Sequence, residues 1–297
     1  MERLDVEKLE RIERFNKIFI NIVKYAFLIL MAIIVIIPFY WMFATALKDD
    51  AEILLNPPTF IPRNPAFANF YNSLAQTDER YDFVRFMRNT IIVGVISTIG
   101  TVVITILAAF AFARMEFKGR NTIFAILLTT MMIPGEMMII TNYITVSSLG
   151  WLNSDAGMFS ALIVPFLVSV FFIFLLRQTF KQIPNELYLA AKIDGKSDLR
   201  YLWRVMIPLA KPTIITMVIL RLMGAWNSYL WPNLIAGSRT HMRLITVGLR
   251  HAFTIDGMIR VNMQMAATAV VTVPLLLVFI FCRKYIMRGV SRSGIKG

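Results

Sequence analysis

Cysteine is almost missing from this chain: Cys282 is the only one in 297 residues. A lone thiol excludes a disulfide framework and a thiolate metal cluster, and it leaves redox chemistry without a second sulfur. Histidine is nearly as scarce. His241 and His251 stand ten positions apart with no HExxH pattern and no acidic cluster beside them, so no metal site is expected. No Gly-x-Ser-x-Gly occurs, and no catalytic constellation stands out, which leaves a membrane-embedded enzyme without machinery. Carboxylates are missing from the apolar runs, where only Glu136 could serve as an intramembrane acid. An ion-coupled secondary transporter needs such acids and usually an internal repeat.

What is present is apolar surface. Hydrophobic residues make up 57% of the chain and mean hydropathy is +0.64, whereas soluble domains run near 45–50% apolar. The chain reads as an all-α polytopic membrane protein. A net charge of +13 would suit nucleic acid, but the basic residues cluster at the ends of apolar runs and act as topology signals. Six spans are expected, at 25–47, 90–113, 121–135, 158–176, 213–220 continuing past Arg221, and 261–282. Pro38 predicts a kink in the first. Pro134-Gly135-Glu136 interrupts the third, and such a break is tolerated only where protein or a cavity covers the loosened backbone. Residues 1–24 mix six basic with five acidic side chains and show a helical period, predicting an amphipathic helix along the inner surface. They form one segment and 25–297 the six-span membrane domain, with the polar loop 177–212 within it. A cleavable signal peptide is not expected, since the apolar run that follows is long and lacks a small-residue cleavage site near its end.

Lys and Arg set the orientation. With the N-terminus inside, the inner segments hold 21 and the outer segments nine, while Arg221 lies within a span. Both termini are therefore expected on the cytoplasmic side. The outer segment 48–88, with Pro57, Pro58, Pro62 and Pro65, is either a packed cap or a contact for an external partner.

The longest inner polar interval is 177–212. Asn185 is placed to cap a short helix with Leu187, Ala190, Ala191 and Ile193 on one face, and Gly195 is placed to stop it. Ser197 then caps a second helix that carries Leu199, Leu202, Trp203 and Met206 toward the membrane. The run ending Gly195-Lys196-Ser197 imitates a phosphate-binding loop. Phosphate cradling needs a glycine-rich turn between a buried strand and a helix, and here no strand precedes it.

Pro184-Asn185-Glu186-Leu187-Tyr188-Leu189-Ala190-Ala191-Lys192-Ile193-Asp194-Gly195, with Ile207-Pro208-Leu209 and Pro212 downstream, resembles the signature loop of permease subunits of bacterial ABC importers. Ile37-Pro38-Phe39, Met132-Ile133-Pro134, Ala225-Trp226-Asn227-Ser228-Tyr229 and Gly294-Ile295-Lys296-Gly297 are similar to the oligosaccharide-importing class, in particular the smaller maltose permease subunit. The resemblance implies a type I importer permease fold in the bacterial inner membrane. It also implies a homologous second permease, two cytoplasmic ATPase subunits that use ATP and Mg, and an extracytoplasmic sugar-binding protein. No cofactor would be bound by this chain. The residues matching the ATPase-coupling helix are Glu186, Leu189, Ala190, Ala191, Asp194 and Gly195. One departs from the family: where a glutamate is usual, this chain has Leu189.

Along the pathway, Arg221 falls near mid-span, where a charge must face a partner or water. Two readings stand: a grip on an acidic saccharide, or an ion pair with the second permease. Trp226, Asn227 and Tyr229, with Asn262 and Gln264, are candidates to touch a sugar through ring stacking and amide hydrogen bonds; interfacial packing is the competing explanation.

Overall fold

The computed structural model describes residues 2–75, 81–255 and 258–291. Apart from two two-residue strands, Thr254–Ile255 and Met258–Ile259, its regular elements are helical. Three helices, Glu13–Ala46, Phe83–Arg114 and Val261–Arg283, are long and apolar enough to cross a membrane singly. Three more crossings are bent pairs: Arg120–Thr130 with Gly135–Ser148 at 86°, Asp155–Phe166 with Val170–Lys181 at 47°, and Asp198–Leu209 with Lys211–Trp226 at 81°. Six spans result. Proline explains the breaks, because it lacks the donor N–H and clashes with the preceding turn. Pro134 precedes the bend in span 3, Pro165 sits in the 3-10 turn that ends the first half of span 4, and Pro212 opens the second half of span 5. Pro208 follows a stretch of π-helix, Leu202–Met206, the local widening expected where a carbonyl loses its donor.

One expectation changes at the N-terminus. The backbone is a single helix from Glu2 to Ala46, with no turn near residue 24, so the amphipathic segment is a direct extension of span 1. Pro38 lies inside that helix. Among the described residues of its own unit, none buries the apolar window of span 1, a surface suited to lipid or to another subunit.

The chain divides into two compact units, 1–73 with 255–269 and 74–254 with 270–297. In the first, the proline-rich loop is tied to the end of span 1. Glu52, buried, accepts from the Thr59 hydroxyl at 2.5 Å and from the Arg63 N–H at 3.1 Å. Lys48, buried, lies 4.7 Å over the Trp41 ring and donates to the Thr59 carbonyl. Asn69 donates to the carbonyls of Ala46 and Lys48 at 2.9 and 2.8 Å. This is the packed-cap reading of the loop.

In the second unit, span 2 is the central post. Its buried face is rich in small and hydroxylated residues, Thr90, Gly94, Ser97, Thr98, Thr101, Thr105 and Ala109, which let neighbouring backbones approach. Ile106 and Phe110 of span 2 meet Phe172, Leu176 and Phe180 of span 4 and Met217 of span 5 in one apolar cluster. Ala191, Tyr201, Leu202 and Met206 from the polar loop join that cluster. The loop is thus packed into the spans, not suspended from them.

Candidate functional site

The 177–212 loop forms two helices at a tight turn, as its capping residues dictate. The first, Asn185–Ile193, ends in a Schellman motif: the Lys196 N–H reaches the Ala191 carbonyl at 2.9 Å and the Gly195 N–H reaches the Lys192 carbonyl at 3.0 Å. Gly195 supplies the left-handed residue, with φ +67°. Ser197 then accepts from the Arg200 N–H at 3.4 Å to open Asp198–Tyr201. Gly195-Lys196-Ser197 therefore stops one helix and starts the next, and the lysine pairs with Asp194 at 3.0 Å.

Asn185 does not cap the first helix. Pro184 holds the cap position, and the Asn185 Oδ1 accepts instead from Arg114 at 3.2 Å. The faces differ from expectation too. Ala190 is exposed whereas Ala191 is buried, because the helix packs through Tyr188 and Ala191 and turns Leu187, Leu189 and Ile193 outward. Leu202 and Met206 are fully buried, but Leu199 and Trp203, expected beside them, are exposed. The inward face runs through Tyr201, Leu202, Val205 and Met206, so it is rotated from the 199–202–203–206 stripe that the spacing suggested.

A polar latch fixes the angle between the two helices. Lys192 pairs with the Asp198 carboxylate at 2.7 Å, and the Tyr188 hydroxyl donates to the same oxygen at 2.8 Å. The Tyr188 and Tyr201 rings meet at 5.1 Å. Lys192, and then Tyr188, hold the Asp198 carboxyl below the usual carboxylate range, while Asp198 raises the Lys192 ammonium. Burial is the main reason the Tyr188 phenol is pushed up. What remains outward is a surface of Glu186, Leu187, Leu189, Ala190 and Ile193, continued by Leu199 and Trp203. Ile193 is 87% exposed. A soluble loop does not leave this much apolar side chain in water without a partner to cover it. Leu189, which stands where the resemblance leads one to expect a glutamate, belongs to that surface.

In span 5, Arg221 is held by its own chain. Its Nε donates to the Thr101 hydroxyl of span 2 at 3.2 Å, and its Nη2 donates to the Phe166 carbonyl at 3.2 Å. The same carbonyl accepts from Thr101 at 3.2 Å. Phe166 sits at the break of span 4, where the backbone has lost its helical donors, so the guanidinium covers a loosened carbonyl. Both of these acceptors are neutral. Trp226 ends the helix, half-buried, with an Nε1 that has no hydrogen-bond partner among the described residues. Asn227 is exposed, and Tyr229 lies half-buried 5.3 Å from the Arg250 guanidinium. Asn262 and Gln264 belong to the other compact unit. Asn262 is buried, donates to the Lys48 carbonyl and to Asp50 at 3.2 and 2.8 Å, and so fastens the outer loop. Gln264 is half-buried. No group of His, Cys, Asp or Glu among the described residues could hold a metal ion. His241 contacts Asp155 at 3.0 Å instead.

Sequence reasoning missed Arg114 and Arg177, which it counted as topology signals only. Arg177 is buried, a signal no charge count could supply.

Comparison with known proteins identifies relatives of the whole chain. The family model described as "Binding-protein-dependent transport system inner membrane component" matches residues 100–292. The chain is 29% identical over 276 residues to the inner membrane ABC transporter permease protein YcjP of Escherichia coli, covering 92% of this chain and 95% of the relative. It is 30% identical over 278 residues to the sn-glycerol-3-phosphate transport system permease protein UgpE of Rhizobium meliloti, covering 92% and 96%. With the arabinooligosaccharides transport system permease protein AraQ of Bacillus subtilis it shares 27% identity over 271 residues, covering 91% and 94%. A crystal structure of a bacterial ABC transporter that imports the acidic polysaccharide alginate has the same fold, with a TM-score of 0.77 at 23% identity, over 90% of this chain and 96% of that one. The chain belongs to the family of inner membrane components of binding-protein-dependent transport systems, as a multi-pass permease component of the ABC transporter class.

Proposed function

We propose that Glu186, Leu187, Leu189, Ala190, Asp194 and Gly195 form the surface on which a cytoplasmic ATPase docks, and that Ala191 holds this surface to the spans from behind. The ATPase binds ATP and Mg, and this chain binds neither. A second, homologous permease covers the bare face of span 1 and completes the pathway. Both termini lie in the cytoplasm, on the side where 21 of the 31 Lys and Arg residues fall. The observation that carries this reading is the two-faced helix Asn185–Ile193, locked inward through Tyr188 and Ala191 and bare outward at Leu187, Leu189 and Ile193. A short rigid helix packed against several spans can turn a domain motion outside the bilayer into a movement of the spans. Purification of the tagged chain from membranes tests it. Recovery of an ATPase and a second permease in fixed stoichiometry supports the reading, and recovery of the chain alone contradicts it.

The cargo is an oligosaccharide, in keeping with the arabinooligosaccharides and alginate that two similar transporters carry by name. A second reading concerns its charge. Arg221 spends two bonds on neutral acceptors and keeps its positive charge, so an acidic sugar or an acid of the second permease remains its counter-ion. Arg221→Gln decides. Selective loss of acidic over neutral oligosaccharides supports contact with cargo. Equal loss with weaker assembly points to the second permease, and equal loss with normal assembly leaves Arg221 as a clamp on the broken span.

A further inference from the structure

Spans 2 and 4 of the second unit end on the same side, each with carbonyls in its last turn that lack the regular i+4 donor, Phe180 because residue 184 is proline. Each receives an arginine from the other. Arg177 of span 4, only 6% exposed, donates through Nε to the Phe112 carbonyl of span 2 at 3.1 Å, and its guanidinium lies 3.8 Å from the centre of the Phe124 ring. Arg114, the last residue of span 2, donates through Nη2 to the Phe180 carbonyl of span 4 at 2.9 Å and to the Ile183 carbonyl. Its Nη1 reaches the Asn185 side chain at 3.2 Å, at the first residue of the helix with the bare outward face. Cations at helix C-termini also meet the negative end of the dipole, so both contacts are favoured twice over.

We infer that Arg114 is a positioning residue for transport: with Arg177 it closes a crossed clasp that makes the ends of spans 2 and 4 and the start of the docking helix one rigid body. The inference rests on the docking reading above. The connection 182–184 would otherwise be a flexible joint, able to absorb a push on the helix before it reached the spans. Arg114 spans that joint, with acceptors on both sides of it at Phe180 and Asn185. A planar fork can hold these acceptors together, whereas an ammonium is a point donor on a flexible stem. Arg114→Lys keeps the charge and loses the simultaneous grip.

The test is the number of sugars taken up per ATP hydrolysed by the complete importer in proteoliposomes, with its binding protein present. This ratio is insensitive to the amount of folded complex, so a purely structural defect does not move it. Arg114→Lys is expected to assemble and to hydrolyse ATP, with the ratio lowered about tenfold, the order of effect that coupling residues exert. An unchanged ratio overturns the inference. Failure of Arg114→Lys to assemble also overturns it, assigning Arg114 to folding alone. Ala190→Trp, on the exposed face, separates the two layers of the argument. If Ala190→Trp leaves ATPase recovery intact while Arg114→Lys lowers the ratio, the docking surface is misplaced and the clasp stands. If Ala190→Trp lowers ATPase recovery while Arg114→Lys leaves the ratio unchanged, docking stands and the clasp fails.

Discussion

Two adjacent alanines give opposite expectations for the same substitution. Ala191 is 6% exposed and packs in the cluster that contains Phe180, Tyr201, Leu202 and Met206. An indole there must displace side chains that are themselves fully buried, and overpacking of this kind costs about 1–3 kcal/mol, at the upper end for so large a change. Ala190 is exposed, and a surface substitution away from such contacts shifts folding by only about ±0.5 kcal/mol. Ala191→Trp should therefore lower the yield and melting temperature of the detergent-solubilised chain. Ala190→Trp should leave both unchanged while it blocks the approach of an ATPase, so co-purification and uptake fall together. Thermal melts followed by size-exclusion recovery, with ATPase pull-down on the same samples, measure both effects. Normal uptake by Ala190→Trp would refute the placement of the docking surface. A normal melt of Ala191→Trp would refute the packing that orients the helix.

Gly248 sits so close to Phe86 that an added Cβ would collide with its ring; Gly248→Ala should destabilise the chain by about 1–3 kcal/mol, and Gly248→Ala with Phe86→Leu should recover part of the loss. The latch at Asp198 gives a pH dependence. Its carboxyl is held below the ordinary carboxylate value of about 4, so the latch is complete above that value and is lost as pH falls below it. Lys192 is raised, so its share is present below about 10 and is lost only at still higher pH. A spin label at exposed Leu199 should gain mobility at the acid limb, and Asp198→Asn should be mobile at neutral pH; a label whose mobility is flat with pH in the native chain contradicts the latch. Gly195 adopts φ +67°, so Gly195→Val should disrupt the turn and reduce ATPase recovery, a prediction that unaltered recovery would defeat.

The spans were legible because about 20 uncharged residues can do little else than cross a bilayer. The turn at Gly195 and Ser197 was legible for the same local reason: left-handed backbone and an exposed helix N-terminus select those residues. What the sequence did not show were facts of tertiary contact. Asn185 has the chemistry of a cap, but Pro184 takes that position and Arg114 takes the amide. Ala190 and Ala191 are identical in composition and differ only in which one meets Tyr201 and Leu202. Trp203 left its expected face because the inward stripe runs through Tyr201, Leu202 and Met206, and which stripe turns inward is set by what the helix packs against. Arg221 was readable as an intramembrane charge, but one of its acceptors is a backbone carbonyl freed by a break in another span, and carbonyls leave no trace in residue identity. Asn262 was read as a pathway amide for its position near the start of span 6; its bonds to Lys48 and Asp50 show it fastening a loop.

The central claim is that this chain moves sugar only when a separate ATPase acts on its 185–195 helix. Uptake of labelled oligosaccharide into proteoliposomes, with ATP enclosed on the ATPase side and the binding protein outside, measures it directly. The account predicts accumulation with ATP, none with ADP, and none when the ATPase is omitted. Accumulation by this chain and its companion permease without the ATPase would contradict it.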